Sequence, residues 1–191
     1  MTAPAPKPRI EPLEPPFEPA VGESLQAMMG GSGIPPIALF RTLARHPQLS
    51  DAMRGLGRFV LGPDLKLGLR LRELVIDRVC ARCGCEYEWG VHATAFGARA
   101  GLSASQLAAT VSEAVPVPAW SEEDALVLAA VDELHDSARV SDALWARLAA
   151  RFSTEQLLEL LVLAGWYHAI AYAIHGAGVP LEAWAARFPE S

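Results

Sequence analysis

Residues 67–83, LGLRLRELVIDRVCARC, then Gly84, then residues 85–100, CEYEWGVHATAFGARA, decide how this chain folds. In the first run Leu71, Leu74, Val75 and Val79 keep helical spacing and no proline interrupts them. Gly84 supplies a stop, because a glycine adopts the left-handed conformation that ends a helix at no steric cost. The second run reads as another helix closed by Gly101, and Ser103 with Gln106 three residues on forms a capping-box pattern that opens the next. Two adjacent helices joined by one glycine imply a helix-on-helix core.

The same grammar extends in both directions. Toward the amino terminus, residues 23–29 and 39–56 are compatible with helices, separated by Gly-Gly-Ser-Gly-Ile-Pro-Pro at 30–36. Toward the carboxy terminus, Ser121 with Asp124, Ser141, and Ser153 with Gln156 each open a helix. The last helix, residues 156–175, is apolar on almost every side and is expected to be the central buried one. Alternating strand patterns bounded by hairpin turns are not seen. The expected fold is an all-α helical bundle with a proline-rich amino-terminal arm. Residues 1–20 hold seven prolines and should form an extended arm of the kind that wraps a neighbouring subunit, and residues 21–191 read as one helical domain.

Composition narrows the functional classes. A net charge of -6 and a pI near 5.4 give no basic surface for nucleic acid, so a small neutral or anionic organic molecule is the expected partner. Glu159, Tyr167, His168 and Tyr172 interrupt the apolar last helix, so no membrane span is expected. No apolar run follows a basic start, which points to the cytoplasm. The cysteines, Cys80, Cys83 and Cys85, crowd into six residues and cannot staple a domain of this size with disulfides.

The chemistry concentrates on the helix that starts at Cys85. At about 100° per residue, Cys85, Glu88 and His92 share one stripe, with Trp89 and Phe96 close beside it. Cys85 sits in the first turn, where the helix dipole favours thiolate over thiol. His92 can take the thiol proton, directly or through a water, and Glu88 can orient the imidazole. Cys80-Ala-Arg-Cys83 is a CxxC on the preceding helix and supplies possible resolving thiols. Zinc held by the three cysteines and His92 would need a spacing unlike the common paired-knuckle patterns, so no metal is expected. On the last helix His168, Tyr172 and His175 fall on one stripe and either line a substrate site or satisfy one another at a helix contact. His135, near a helix carboxy terminus, is given no role.

Residues 71–76 (Leu-Arg-Glu-Leu-Val-Ile), 83–92 (Cys-Gly-Cys-Glu-Tyr-Glu-Trp-Gly-Val-His) and 100–103 (Ala-Gly-Leu-Ser) resemble the carboxymuconolactone decarboxylase and alkylhydroperoxidase family. Trp120-Ser121 and Gly-Trp-Tyr-His at 165–168 extend the likeness to roughly residues 40–188. In the alkylhydroperoxidase branch the pattern is a glutamate, eleven residues, a cysteine, two residues, a second cysteine, three residues and a histidine. Here Glu73, Cys85 and His92 occupy three of those positions, and Glu88 stands where the second cysteine belongs. The resemblance implies a thiol peroxidase in which Cys85 attacks a hydroperoxide, His92 accepts its proton and Glu73 and Glu88 tune that histidine. An external thiol reductant, or Cys83 or Cys80, would then regenerate it.

The other branch decarboxylates a lactone acid and needs no thiol pair. It implies an acid–base role for Glu88 and His92 beside a cationic anchor, Arg70 or Arg72, that holds a carboxylate. Trp89, Arg72 and His168 are the expected substrate contacts. No cofactor is expected in either branch, and the resemblance implies a homo-oligomer: a dimer, trimer or hexamer. A third reading is an inert bundle that assembles or binds a small molecule.

Overall fold

The computed structural model describes residues 7–30, 33–112 and 120–189. Among them lie nine helices and no strand: α1 Pro19–Met28, α2 Ala38–Leu43, α3 Pro47–Val60, α4 Leu69–Arg82, α5 Glu86–Phe96, α6 Ala104–Val111, α7 Glu122–Ser137, α8 Asp142–Arg151 and α9 Thr154–Ala177. The all-α expectation therefore holds. The helices fall into two compact units, Met1–Asp64 with Ala173–Ala183, and Leu65–Tyr172 with Trp184–Ser191.

In the first unit, residues 7–18 form no helix, and they are fastened to their own chain. Arg9 N and Ile10 N both donate to Ala177 O, at 2.7 and 3.0 Å, and Arg41 Nη1 donates to Leu13 O at 2.8 Å. α1 starts inside the expected arm, with Pro19 at its first position, where a missing N–H costs nothing. The helix expected over 39–56 is two helices. Pro47 has no N–H and clashes with the preceding turn, so α2 stops at Leu43 and α3 restarts with Pro47 at its first position. His46 caps the restart by accepting from Leu49 N at 3.2 Å.

The second unit is built on α4, which packs chiefly against α7 and α5. Every residue from Leu71 to Cys80 is buried, including Arg72, Glu73, Asp77 and Arg78. α4 starts after Gly68, at φ 80, where the Glu159 carboxylate from α9 accepts from Lys66 N at 3.1 Å and Leu67 N at 2.8 Å. The serine starts hold: Ser103 and Ser121 close full capping boxes, Ser141 accepts from Leu144 N, and Ser153 and Gln156 exchange bonds.

The last helix departs from its expectation. α9 is the helix long and apolar enough to cross a membrane among the described residues, with a mean hydropathy of 1.6, but less than half of that window is buried. Leu160, Leu163, Ala164, Tyr167 and Ala171 face inward while Leu158, Val162 and Tyr172 stand exposed. An apolar circumference thus reflects two apolar faces, and the central buried helix is α4.

The carboxy-terminal segment of this unit lies over α5. Ala186 N donates to Thr94 Oγ1 at 2.9 Å and Phe188 N to Glu86 Oε1 at 2.9 Å. Gly90 makes the approach possible, since a Cβ there would stand 2.1 Å from Ala186 O. Gly90→Ala should cost about 1–3 kcal/mol through overpacking against backbone. Gly165→Ala, in a helix interior with open space around it, should be neutral or stabilise by up to about 1 kcal/mol. Urea unfolding of the two variants checks the pair, and equal effects would refute the close approach.

Candidate functional site

The site is set by how α4 ends and α5 begins. Gly84, at φ 64, takes the left-handed position expected of it, its N–H donates to Ala81 O at 2.9 Å, and Cys85 N donates to Cys80 O at 2.7 Å. This paired closure is the Schellman arrangement, and it turns the chain so that Cys85 becomes the N-cap of α5. Glu88 and His92 then follow on successive turns of α5, opposite Glu73 of α4.

His92 is the hub. Its Nδ1 lies 2.7 Å from Glu73 Oε2, and its Nε2 lies 3.1 Å from the Tyr167 hydroxyl of α9 and 3.5 Å from Glu88 Oε1. Glu73 is 0 % exposed and His92 3 %. The other Glu73 oxygen accepts from the Arg72 guanidinium at 2.6 Å, and that guanidinium lies over the Phe96 ring, 5.2 Å from its centre. Phe96 also flanks His92, with ring centres 5.2 Å apart. Glu88 keeps one buried carboxylate oxygen, Oε2, without a hydrogen-bond partner. Asp77, one turn along α4 from Glu73, is fully buried with both carboxylate oxygens unpartnered.

Charge decides the protonation states. Burial alone would push the His92 imidazole down, but the Glu73 charge and hydrogen bond, with the hydrogen bond and charge of Glu88, hold it up at about 10. His92 is therefore an imidazolium at neutral pH, and both of its ring N–H groups donate. Tyr167 is held well above the ordinary phenol value by burial and then by Glu88 and Glu73, so it keeps its proton. Asp77 is likewise held well above the usual carboxyl range, by burial and by Glu73 against the pull of His92, and is neutral.

The sulfur behaves differently from its expectation. Cys85 is 0 % exposed, and burial pushes its thiol up. The Glu88 backbone N–H draws it partly back, and the Glu88 carboxylate and Cys83 push it up again, to about 12. Desolvation outweighs the helix terminus, so Cys85 rests as a thiol. No hydrogen bond or charge interaction joins it to His92.

The structure thus brings Glu73, Glu88 and His92 together, with Arg72 behind Glu73. The remaining expected contacts lie elsewhere. Trp89 Nε1 donates to Thr110 Oγ1 at 2.9 Å and its ring meets Phe188. His168 pairs with His135 at 3.0 Å. Arg70 pairs with Asp124 and donates to Gly101 O, and Arg72 pairs with Glu73. Cys80, Cys83 and Cys85 are all free thiols, and Cys80 is sealed in the core. Tyr167 and Asp77 were not picked out from the sequence as site residues. The available signal was a polar residue within an apolar helical run, Asp77 inside residues 74–80 and Tyr167 inside residues 157–171.

Because folding raises the His92 pKa from about 6.5 to about 10, the native state keeps a proton that the unfolded chain gives up in that window. The stabilisation from the Glu73–His92 pair is full below pH 6.5 and is lost as pH rises toward 10. Urea midpoints measured from pH 6.5 to 9 should fall steadily, and His92→Gln should flatten that slope. A slope unchanged by the substitution would show that another group is responsible.

Residues 47–132 match the carboxymuconolactone decarboxylase family model. No curated protein matches the chain. Solved structures share the fold at low identity. An uncharacterized peroxidase-related protein from Silicibacter sp. TM1040 is similar at a TM-score of 0.80 and 13% identity, covering 94% of this chain and 96% of that one. The debrominase Bmp8, in complex with 2,3,4-tribromopyrrole, is similar at 0.77 and 16%, covering 92% of each chain. An AhpD-type protein of unknown function from Agrobacterium tumefaciens, ascribed to antioxidant defence, is similar at 0.65 and 20%, covering 73% of this chain and 94% of its own. The segment that matches the family model, 47–132, is the one that carries Glu73, Cys85, Glu88 and His92.

Proposed function

We propose that the chain is a cofactor-independent acid–base enzyme, a lyase or isomerase of a small carboxylic acid or lactone, with His92 as its proton donor. The observation that carries this reading is the buried hydrogen-bonded chain Glu73–His92–Tyr167, with Glu88 where the peroxidase branch has its second thiol. Glu73 fixes the imidazolium through Nδ1 and leaves Nε2–H directed at Tyr167 and Glu88. With Tyr167 accepting from His92, the phenol O–H remains to donate to a substrate oxygen. In a decarboxylation the bond to the carboxylate breaks, carbon dioxide leaves, and the electron pair passes into the substrate's own carbonyl or lactone. His92, directly or through Tyr167, then delivers one proton to carbon, and solvent restores it. An isomerisation uses the same groups, with Glu88 removing the proton first.

A thiol peroxidase on Cys85 is the second reading, favoured by the Glu88 backbone N–H that draws the thiol pKa down from the N-terminus of α5. There the sulfur would attack the peroxide O–O bond, become a sulfenic acid and release an alcohol or water, and a thiol reductant would restore it. Two facts weigh against it: a thiol held at about 12, and an imidazole that already carries its proton. The exposed Leu158, Val162 and Tyr172 of α9 support a homo-oligomer in either case.

The purified chain should be offered small β-keto acids and unsaturated lactone acids, with carbon dioxide release and proton exchange as readouts, and hydroperoxides with a thiol reductant in parallel. Turnover of an acid or lactone is expected, with kcat falling about 10²–10⁴-fold in His92→Gln and Glu88→Gln. Cys85→Ser should retain most of it. Hydroperoxide consumption that Cys85→Ser abolishes, with no acid or lactone turned over, would replace the first reading with the second.

A further inference from the structure

Outside this group, three helices bring a second set of donor atoms together. Cys83 is the C-cap of α4, His135 lies in the last turn of α7, and His168 lies in the middle of α9. The Cys83 sulfur and one ring nitrogen from each histidine all stand within 4.8 Å of one another. We propose that Cys83, His135 and His168 form a binding site for a zinc-class divalent cation, with a fourth coordination position left for water or an exogenous ligand.

The ligand chemistry follows from the hydrogen bonds. His168 Nδ1 lies 2.8 Å from Ala164 O and must carry its proton to bond that carbonyl, so Nε2 presents a lone pair. That lone pair points at His135 Nδ1, 3.0 Å away. A backbone carbonyl holding the far nitrogen is the usual way a metal-binding histidine is oriented. Without an ion, His135 fills the gap by donating its Nδ1–H to His168. With an ion, the proton moves to His135 Nε2, the Cys83 thiol gives its proton to solvent, and the sulfur and both nitrogens turn their lone pairs inward. Bond lengths of about 2.0–2.1 Å for nitrogen and 2.3 Å for sulfur place tetrahedral donors roughly 3.3–3.6 Å apart. The two nitrogens therefore open by a few tenths of an ångström, and the sulfur, within 4.8 Å of both, closes by at most about one.

One thiolate and two imidazoles select a borderline transition cation over magnesium or calcium, which demand oxygen donors. The donors are half-buried rather than sealed. His135 also lines a hollow of about 390 Å³ with Arg78, Ala81, Arg82 and Val111. The Arg82 charge beside it is offset, because Arg82 pairs with Asp136 and faces Asp132 at 3.7 Å. Bound there, a cation ties the end of α4 to α7 and α9, two residues before Cys85. This assignment is independent of the acid–base reading and gives Cys83 and the two histidines a task that it leaves without one.

The full-length chain, reduced and stripped with a chelator, should be titrated with zinc against a chromophoric competitor and with cobalt in an absorption cell. One ion per chain is expected, with a thiolate-to-cobalt charge-transfer band and the intense visible bands of tetrahedral cobalt. Cys83→Ser should abolish the charge-transfer band, and it and His168→Gln should each weaken zinc binding at least tenfold, while Cys85→Ser changes neither. Zinc should also slow alkylation of Cys83 in the unmodified protein, read by peptide mass spectrometry, a measurement that needs no variant to fold. No saturable zinc binding, octahedral cobalt without the thiolate band, undiminished binding in Cys83→Ser, or unprotected Cys83 would each overturn the site.

Discussion

The second unit depends on one constraint: α4 carries Arg72, Glu73, Asp77 and Arg78 into an interior with no room for unpaired charge. An isolated ion there would cost several kcal/mol even after relaxation, so each charge must find a partner or lose its charge. Three of the four find one. Arg78 reaches Asp132 of α7 with two bonds, at 2.7 and 2.9 Å, and Thr110 O of α6 at 2.9 Å. Arg72 and His92 share Glu73 between them. Asp77 has no partner and is neutral instead. The helices around α4 are therefore fixed by which charges they answer as much as by apolar fit, and the candidate site is the part of that network that opens onto α5 and α9.

The same electrostatics sets the state of the sulfur. A peroxidatic cysteine needs a cationic neighbour that favours thiolate. Here the cation, His92, is claimed by two carboxylates, and one of them, Glu88, also faces Cys85 and raises its pKa. Exchanging a thiol for a carboxylate at position 88 thus does two things at once. It removes the disulfide partner, and it moves the favourable electrostatics from the sulfur to the imidazole.

What the sequence disclosed divides along physical lines. Local rules carried far: the serine caps at 103, 121, 141 and 153 and the glycine stop at 84 depend on neighbours within one turn, and they hold, as does the absence of strands among the described residues. So does the shared face of Glu88 and His92, because helical periodicity alone places them together. Pro47 was a local signal overlooked inside a plausible helical run. The other errors are of a different kind. Whether Cys85 is thiolate or thiol depends on how much water the surrounding helices exclude, and the partners that Trp89 and His168 take up depend on which helix each side chain meets. α9 looked central because its composition is apolar all round, but composition cannot distinguish a face that meets the core from one that does not.

The three cysteines illustrate how far a single backbone conformation separates residues that a motif scan groups together. Cys80, Cys83 and Cys85 lie within six residues, and on a continuous helix Cys80 and Cys83 would share a face while Cys85 fell on another. The left-handed turn at Gly84 breaks that geometry. Cys80 stays in the core of α4, where its carbonyl accepts from Cys85 N. Cys83, held at the helix end, leans toward α7 and α9 and meets two histidines remote in sequence. Cys85 is carried past the turn onto α5, where Glu88 governs its electrostatics. A cluster in sequence becomes three separate environments, and the chemistry open to each thiol follows from the helix that the turn delivers it to.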